Sequence, residues 1–124
     1  MKVLTWEQVG LPVASPVLEA CTITNAGLVY TSGCVGVTNE GIVVEGVEGQ
    51  TEAVIENLRQ ILKAAGTSLD KVVKALVFVA RQEDIPIVNA VYAKHFTNKP
   101  PRSCVVAQLA GDQFKVEIEV VAEI

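Results

Sequence analysis

The chain reads as a single α+β domain over residues 1–124, a mixed β-sheet with two helices packed on one face. Three stretches predict this. Residues 50–65 and 82–97 place apolar side chains at helical spacing, residues 72–79 form an almost continuous apolar, β-branched run, and residues 116–120 alternate strictly between apolar and acidic types. The resulting order, strand, strand, helix, strand, helix, strand, strand, suits one layer of sheet under one layer of helices.

Residues 17–24 and 28–32 flank Asn25-Ala26-Gly27, a turn in which Gly27 can take positive φ without steric cost, so the pair reads as a β-hairpin. Glycines 33, 36, 41, 46 and 49 then interrupt short apolar pieces, which predicts loop with at most a small strand. From Gln50 to Ala65, Val54, Ile55, Leu58, Ile61, Leu62 and Ala65 fall on one helical face. Glu52, Glu56, Arg59 and Lys63 take the opposite, solvated side, and Gly66 stops the helix as a left-handed terminator.

Val72–Val79 is broken only by Lys74 and predicts a central strand covered on both faces. In the second helix Ile85, Val88, Val91, Tyr92 and Phe96 share a face, with Pro86 tolerated in the first turn. Pro100-Pro101 ends it and launches the next strand. Two helices cover only one side of such a sheet, so the other side is a candidate subunit interface.

At 124 residues, half of them hydrophobic, the chain can bury a core without metals or disulfides. A net charge of −4 gives no electrostatic footprint for nucleic acid. Cys21, Cys34 and Cys104 are odd in number, lack CxxC spacing and have no neighbouring histidine, which favours a reducing compartment over a disulfide framework or a zinc site. The first eight residues lack signal-peptide or transit-peptide character and no apolar run approaches membrane-spanning length, so a cytoplasmic location is expected.

Pro101-Arg102-Ser103-Cys104-Val105, followed by Val116-Glu117-Ile118-Glu119, resembles the C-terminal signature of the RidA family. Tyr30-Thr31-Ser32-Gly33 resembles its N-terminal strand, and Val88-Asn89-Ala90-Val91-Tyr92 with Phe96 its second helix. The resemblance spans residues 14–122 and implies a chorismate-mutase-like fold. It also implies a homotrimer with sheets facing the centre, ligand clefts between subunits, and hydrolysis of reactive enamine and imine acids.

Arg102 offers a planar, permanently charged fork that matches a carboxylate, although an arginine at a strand entrance also serves as a solvated surface residue. Through the resemblance it holds the substrate carboxylate. Glu117 and Glu119 project from one side of a strand, either as a polar face or, in a cleft, as carboxylates with raised pKa suited to proton exchange. The resemblance favours Glu117 as the acid/base, acting on water that attacks a 2-imino or 2-enamino acid and releases a 2-keto acid and ammonia. No metal or organic cofactor is required, because a protonated imine is already a good electrophile.

Cys104 shares Arg102's side of its strand; with no base at hand it reads as a buried, inert thiol, and the resemblance assigns the catalytic contact to its main-chain carbonyl. Ser32 and Gly33 read as a plain turn or as a close backbone approach to ligand, and the resemblance places them in the pocket. Asn89 reads as a cap or a bridge to a loop, and the resemblance places it near the cleft as a substrate-binding residue that carries no proton. Trp6, Tyr92 and Phe96 read as packing aromatics.

Three positions depart from the family pattern. Val17 follows Pro16 where many members have tyrosine, and Cys34 and Gly36 stand in place of glutamine and proline. These changes fall on the substrate side, which keeps two rivals in view. One is a weakly catalytic trimer that binds small 2-keto carboxylates; the other is the endoribonuclease or translation-inhibitor role ascribed to some relatives, which the acidic charge and the single histidine disfavour.

Overall fold

The computed structural model describes residues 1–124. Its strands are β1 (Lys2–Leu4), β2 (Cys21–Ile23), β3 (Leu28–Thr31), β4 (Cys34–Val35), β5 (Val72–Val79), β6 (Arg102–Val106) and β7 (Val116–Glu123). The helices are α1 (Trp6–Val9), α2 (Val47–Ala65) and α3 (Ile85–His95). One mixed sheet runs β1-β2-β3-β7-β5-β6, with β4 paired to β7 beyond the end of β3. Only β5 and β6 run parallel.

The hairpin forms around Gly27 at φ 90°, although its first strand is confined to Cys21–Ile23. Two N-terminal elements escaped the sequence reading. The single turn α1 carries a capping box in which the Gln8 amide donates to Thr5 Oγ1 at 3.1 Å and the Thr5 amide donates to Gln8 Oε1 at 2.8 Å. Thr5-x-x-Gln8 was the legible signal. Helix α2 begins three residues earlier than the periodicity suggests, at an N-cap Gly46 in positive φ, and ends at Gly66 with φ 88° as expected. Pro86 sits in the first turn of α3.

Val54, Ile55, Leu58, Ile61 and Leu62 of α2 are fully buried against Val77, Val79, Val116 and Ile118 of the sheet, while α3 adds Val88, Val91 and Phe96. Burying each such side chain contributes roughly 1.5–3 kcal/mol. The core therefore lies on one side of the sheet.

The expectation of a doubly covered β5 needs correction. Ala75, Val77 and Val79 are buried beneath the helices, but Leu76 and Phe78, on the other face, are only partly covered by this chain. Tyr30 and Val105 on that face are exposed. A β-branched run records burial without saying whether the chain itself supplies it. No helix is long and apolar enough to cross a membrane.

Candidate active site

Glu117 is positioned by alternation on β7: Val116, Ile118 and Val120 face the helices, so Glu117 and Glu119 face the uncovered side. Its neighbour across the β4 pairing is Val35, and Gly33, just before β4, lies directly against it. A Cβ placed on Gly33 would stand 2.9 Å from Glu117 Cδ, too close for real atoms. The missing side chain thus makes room for the carboxylate.

Burial first, and then the charge of Glu119, push the Glu117 carboxyl above the ordinary carboxylate range. The nearby Cys34 thiol is buried and is pushed up to about 12, by desolvation and then by Glu117 itself. It is no nucleophile at neutral pH.

Ser32, Gly33, Cys34 and Glu117 line one cleft of about 610 Å³. The Ser32 hydroxyl donates to the Glu19 carbonyl at 2.5 Å, so only its lone pairs are left for a ligand. Val17 is 85% exposed and lines a neighbouring groove that shares Leu18 and Ser32 with the cleft.

Arg102 lies elsewhere. Its β6 residue pairs with Ala75, on the helix-facing side of the sheet, and its guanidinium donates to Asn89 Oδ1 on α3. The same group sits 4.6 Å from the centroid of the Tyr92 ring, which stacks on Phe96 with centroids 4.2 Å apart. Contacts of this kind are worth about 0.5–2 kcal/mol and hold the fork in one orientation. Asn89 therefore links α3 to β6 through Arg102, and Tyr92 is more than packing. Its hydroxyl is buried without a hydrogen-bond partner.

Two expectations change. Cys104 is exposed, whereas Cys21 and Cys34 are the buried thiols; β6 is the outermost strand, paired only with β5, and its far end is uncovered. Arg102 and Glu117, read as one binding pair, stand on opposite faces of the sheet within a single chain. Trp6 and Phe114 also line the cleft, a role that apolar residue types alone do not announce. His95 is held between Glu52 and Arg59.

Residues 16–124 match the family model described as Endoribonuclease L-PSP. The chain belongs to the L-PSP family, that of the RidA proteins. Among its L-PSP relatives is the mitochondrial protein mmf1 of Schizosaccharomyces pombe, 39% identical over 90% of this chain and 74% of that protein. Another is the chloroplastic Reactive Intermediate Deaminase A of Arabidopsis thaliana, 40% identical over 77% of this chain and 52% of its own length. A crystal structure of E. coli TdcF with bound serine superposes with a TM-score of 0.86 at 28% identity, covering 100% of this chain and 98% of that one. The mixed sheet with its helices on one face is the L-PSP fold, the chorismate-mutase-like arrangement expected.

Proposed function

We propose that this L-PSP protein hydrolyses reactive 2-imino and 2-enamino acids, such as 2-iminobutanoate and 2-iminopropanoate, to 2-keto acids and ammonia. The observation that carries this reading is Glu117, a half-buried carboxyl with raised pKa set against a glycine at the edge of a cleft. The name of the Arabidopsis relative and the serine held by TdcF support the substrate class.

In this mechanism Arg102 grips the substrate carboxylate, its fork already aimed by Tyr92 and Asn89. Glu117 takes a proton from water as the oxygen adds to the imine carbon. It returns that proton to nitrogen, takes the proton of the new hydroxyl as the carbon–nitrogen bond breaks, and passes it to the departing ammonia, so one water and one iminium give one keto acid and one ammonium. The family resemblance assigns the second contact to the reacting water to the Cys104 carbonyl, on the same strand as Arg102.

Because Arg102 and Glu117 face opposite ways in one chain, a complete site needs two copies, with the uncovered face of one beside the β6 edge of the next. A homotrimer arranged with sheets toward its centre closes this pattern. Free cysteines suit a reducing compartment, which we take as the cytoplasm.

A second reading, a weakly catalytic binder of small 2-keto carboxylates, draws on Val17. This exposed apolar side chain at the cleft's margin can neither hydrogen-bond nor stack on substrate. Ammonia and keto-acid release from 2-iminobutanoate generated in situ decides between them. Acceleration by wild type and none by Arg102→Ala supports the deaminase; tight 2-keto acid binding without acceleration by wild type supports the binder.

A further inference from the structure

The cleft beside Glu117, as one copy of the chain forms it, is larger than a three- or four-carbon acid requires. At roughly 30 Å³ per heavy atom, by analogy with water's share of its liquid, 2-iminobutanoate would fill about a third of the space. Its walls include Trp6, Leu11, Val13, Leu18, Ala110 and Phe114, and Glu117 is the one charged side chain lining it. No cation of the same copy lines it, so the substrate carboxylate is left to Arg102 of the next copy at the mouth, while a positive iminium would be drawn to Glu117. What remains beyond the iminium is mostly apolar space, with Ser15, Ser32 and Asn57 the other polar side chains on its walls.

The far wall is built, not collapsed by chance. Gln50, 1% exposed, donates from Nε2 to the Val44 carbonyl at 3.0 Å and the Gln113 carbonyl at 2.9 Å. Its Oε1 accepts from the Lys115 amide at 2.8 Å. These bonds anchor the segment that carries Ala110 and Phe114 and leads directly into Glu117. A cleft whose wall is pinned by a fully engaged buried amide keeps its shape without ligand.

We infer that this cleft receives the substrate's side chain, and that the preferred substrates are 2-imino acids with branched or aromatic side chains. The inference rests on the deaminase reading and assigns its substrate class. Discrimination by an apolar pocket runs at about tenfold or more per methylene it can bury.

The test uses imines produced in situ by an amino-acid oxidase from alanine, leucine and phenylalanine, scoring each rate as enhancement over spontaneous hydrolysis. The expected result is an enhancement at least about tenfold greater for the leucine and phenylalanine imines than for the alanine imine. Ala110→Trp, at an exposed wall position, is expected to lower that ratio about tenfold. Equal or better enhancement of the alanine imine, or a ratio unmoved by Ala110→Trp, overturns the inference while leaving the deaminase reading intact. No enhancement of any imine overturns both.

Discussion

Arg102 and Glu117 occupy opposite faces of one sheet: Arg102 shares a row with Ala75 above the buried side, and Glu117 shares one with Phe78 on the uncovered side. If each site joins the arginine of one copy to the glutamate of another, two inactive variants can rescue each other. Equal amounts of Arg102→Ala and Glu117→Gln, refolded together, are expected to recover activity at about one site in four, because that share of random pairings unites both intact groups. An assay of mixed against separately refolded variants checks this, and activity no higher than that of the separate variants would sink the shared site.

Gly33 has no positive φ, so alanine there meets no backbone strain, only the Glu117 carboxyl. Gly33→Ala is expected to displace that carboxyl and lower kcat by about 10²-fold with little change in thermal midpoint. Adding Glu117→Gln to it should cost little more than Glu117→Gln alone, since both act through one group. Steady-state kinetics of the three variants decides; fully additive losses would separate the two residues.

The raised pKa of Glu117 sets a pH dependence whose sign follows from its role as a base. Only the carboxylate takes a proton from water, so activity falls with decreasing pH at a higher value than for an ordinary glutamate. Glu119→Gln removes the second cause of the shift and should move this acid limb to lower pH. For stability the same shift runs the other way: folding disfavours the ionised form, so Glu117→Gln is expected to raise the melting temperature at neutral pH. That gain should vanish below the ordinary carboxylate pKa, where wild type is protonated folded and unfolded alike. Melting curves from pH 3 to 8 test it.

Glu52 on α2 and His95 on α3 form a link that the proposed chemistry does not use. Glu52 Oε1 lies 2.6 Å from His95 Nε2, and Arg59 faces His95 Nδ1 at 3.2 Å, so the ring bridges the two side chains. The His95 hydrogen bond, ahead of the nearby positive charges, lowers the Glu52 pKa. Its stabilisation is thus present above the ordinary carboxylate value and is lost as pH falls through the lowered one. Because the pair is exposed, Glu52→Gln should cost at most about 1 kcal/mol at neutral pH and leave imine hydrolysis unchanged, as paired denaturation and activity measurements would show.

Periodicity made the helices and long strands legible because each has one face buried by this same chain: the α2 pattern from Val54 to Leu62, and the alternation of Val116, Ile118 and Val120, map directly onto the core. The glycine stops at Gly27 and Gly66 were legible because positive φ excludes most side chains. The short N-terminal elements were not, since three strand residues and one helical turn are too few to show a period. Nor could burial of Cys104 be judged, because local sequence does not say which strand ends a sheet.

The sequence alone determined the α+β class, the helix-facing residues, and the family whose signature surrounds Arg102 and Glu117. It did so through patterns repeated every two or every 3.6 residues, which ordinary backbone geometry imposes on any buried face. Only the tertiary structure decided that Gly33 lies against Glu117, that Tyr92 and Asn89 aim Arg102, and that Gln50 fixes an apolar cleft. These depend on strand order and register, through which residues 84 positions apart in the chain, Gly33 and Glu117, become neighbours. The same strand order separates Arg102 from Glu117, leaving the completion of the proposed site to a second copy of the chain.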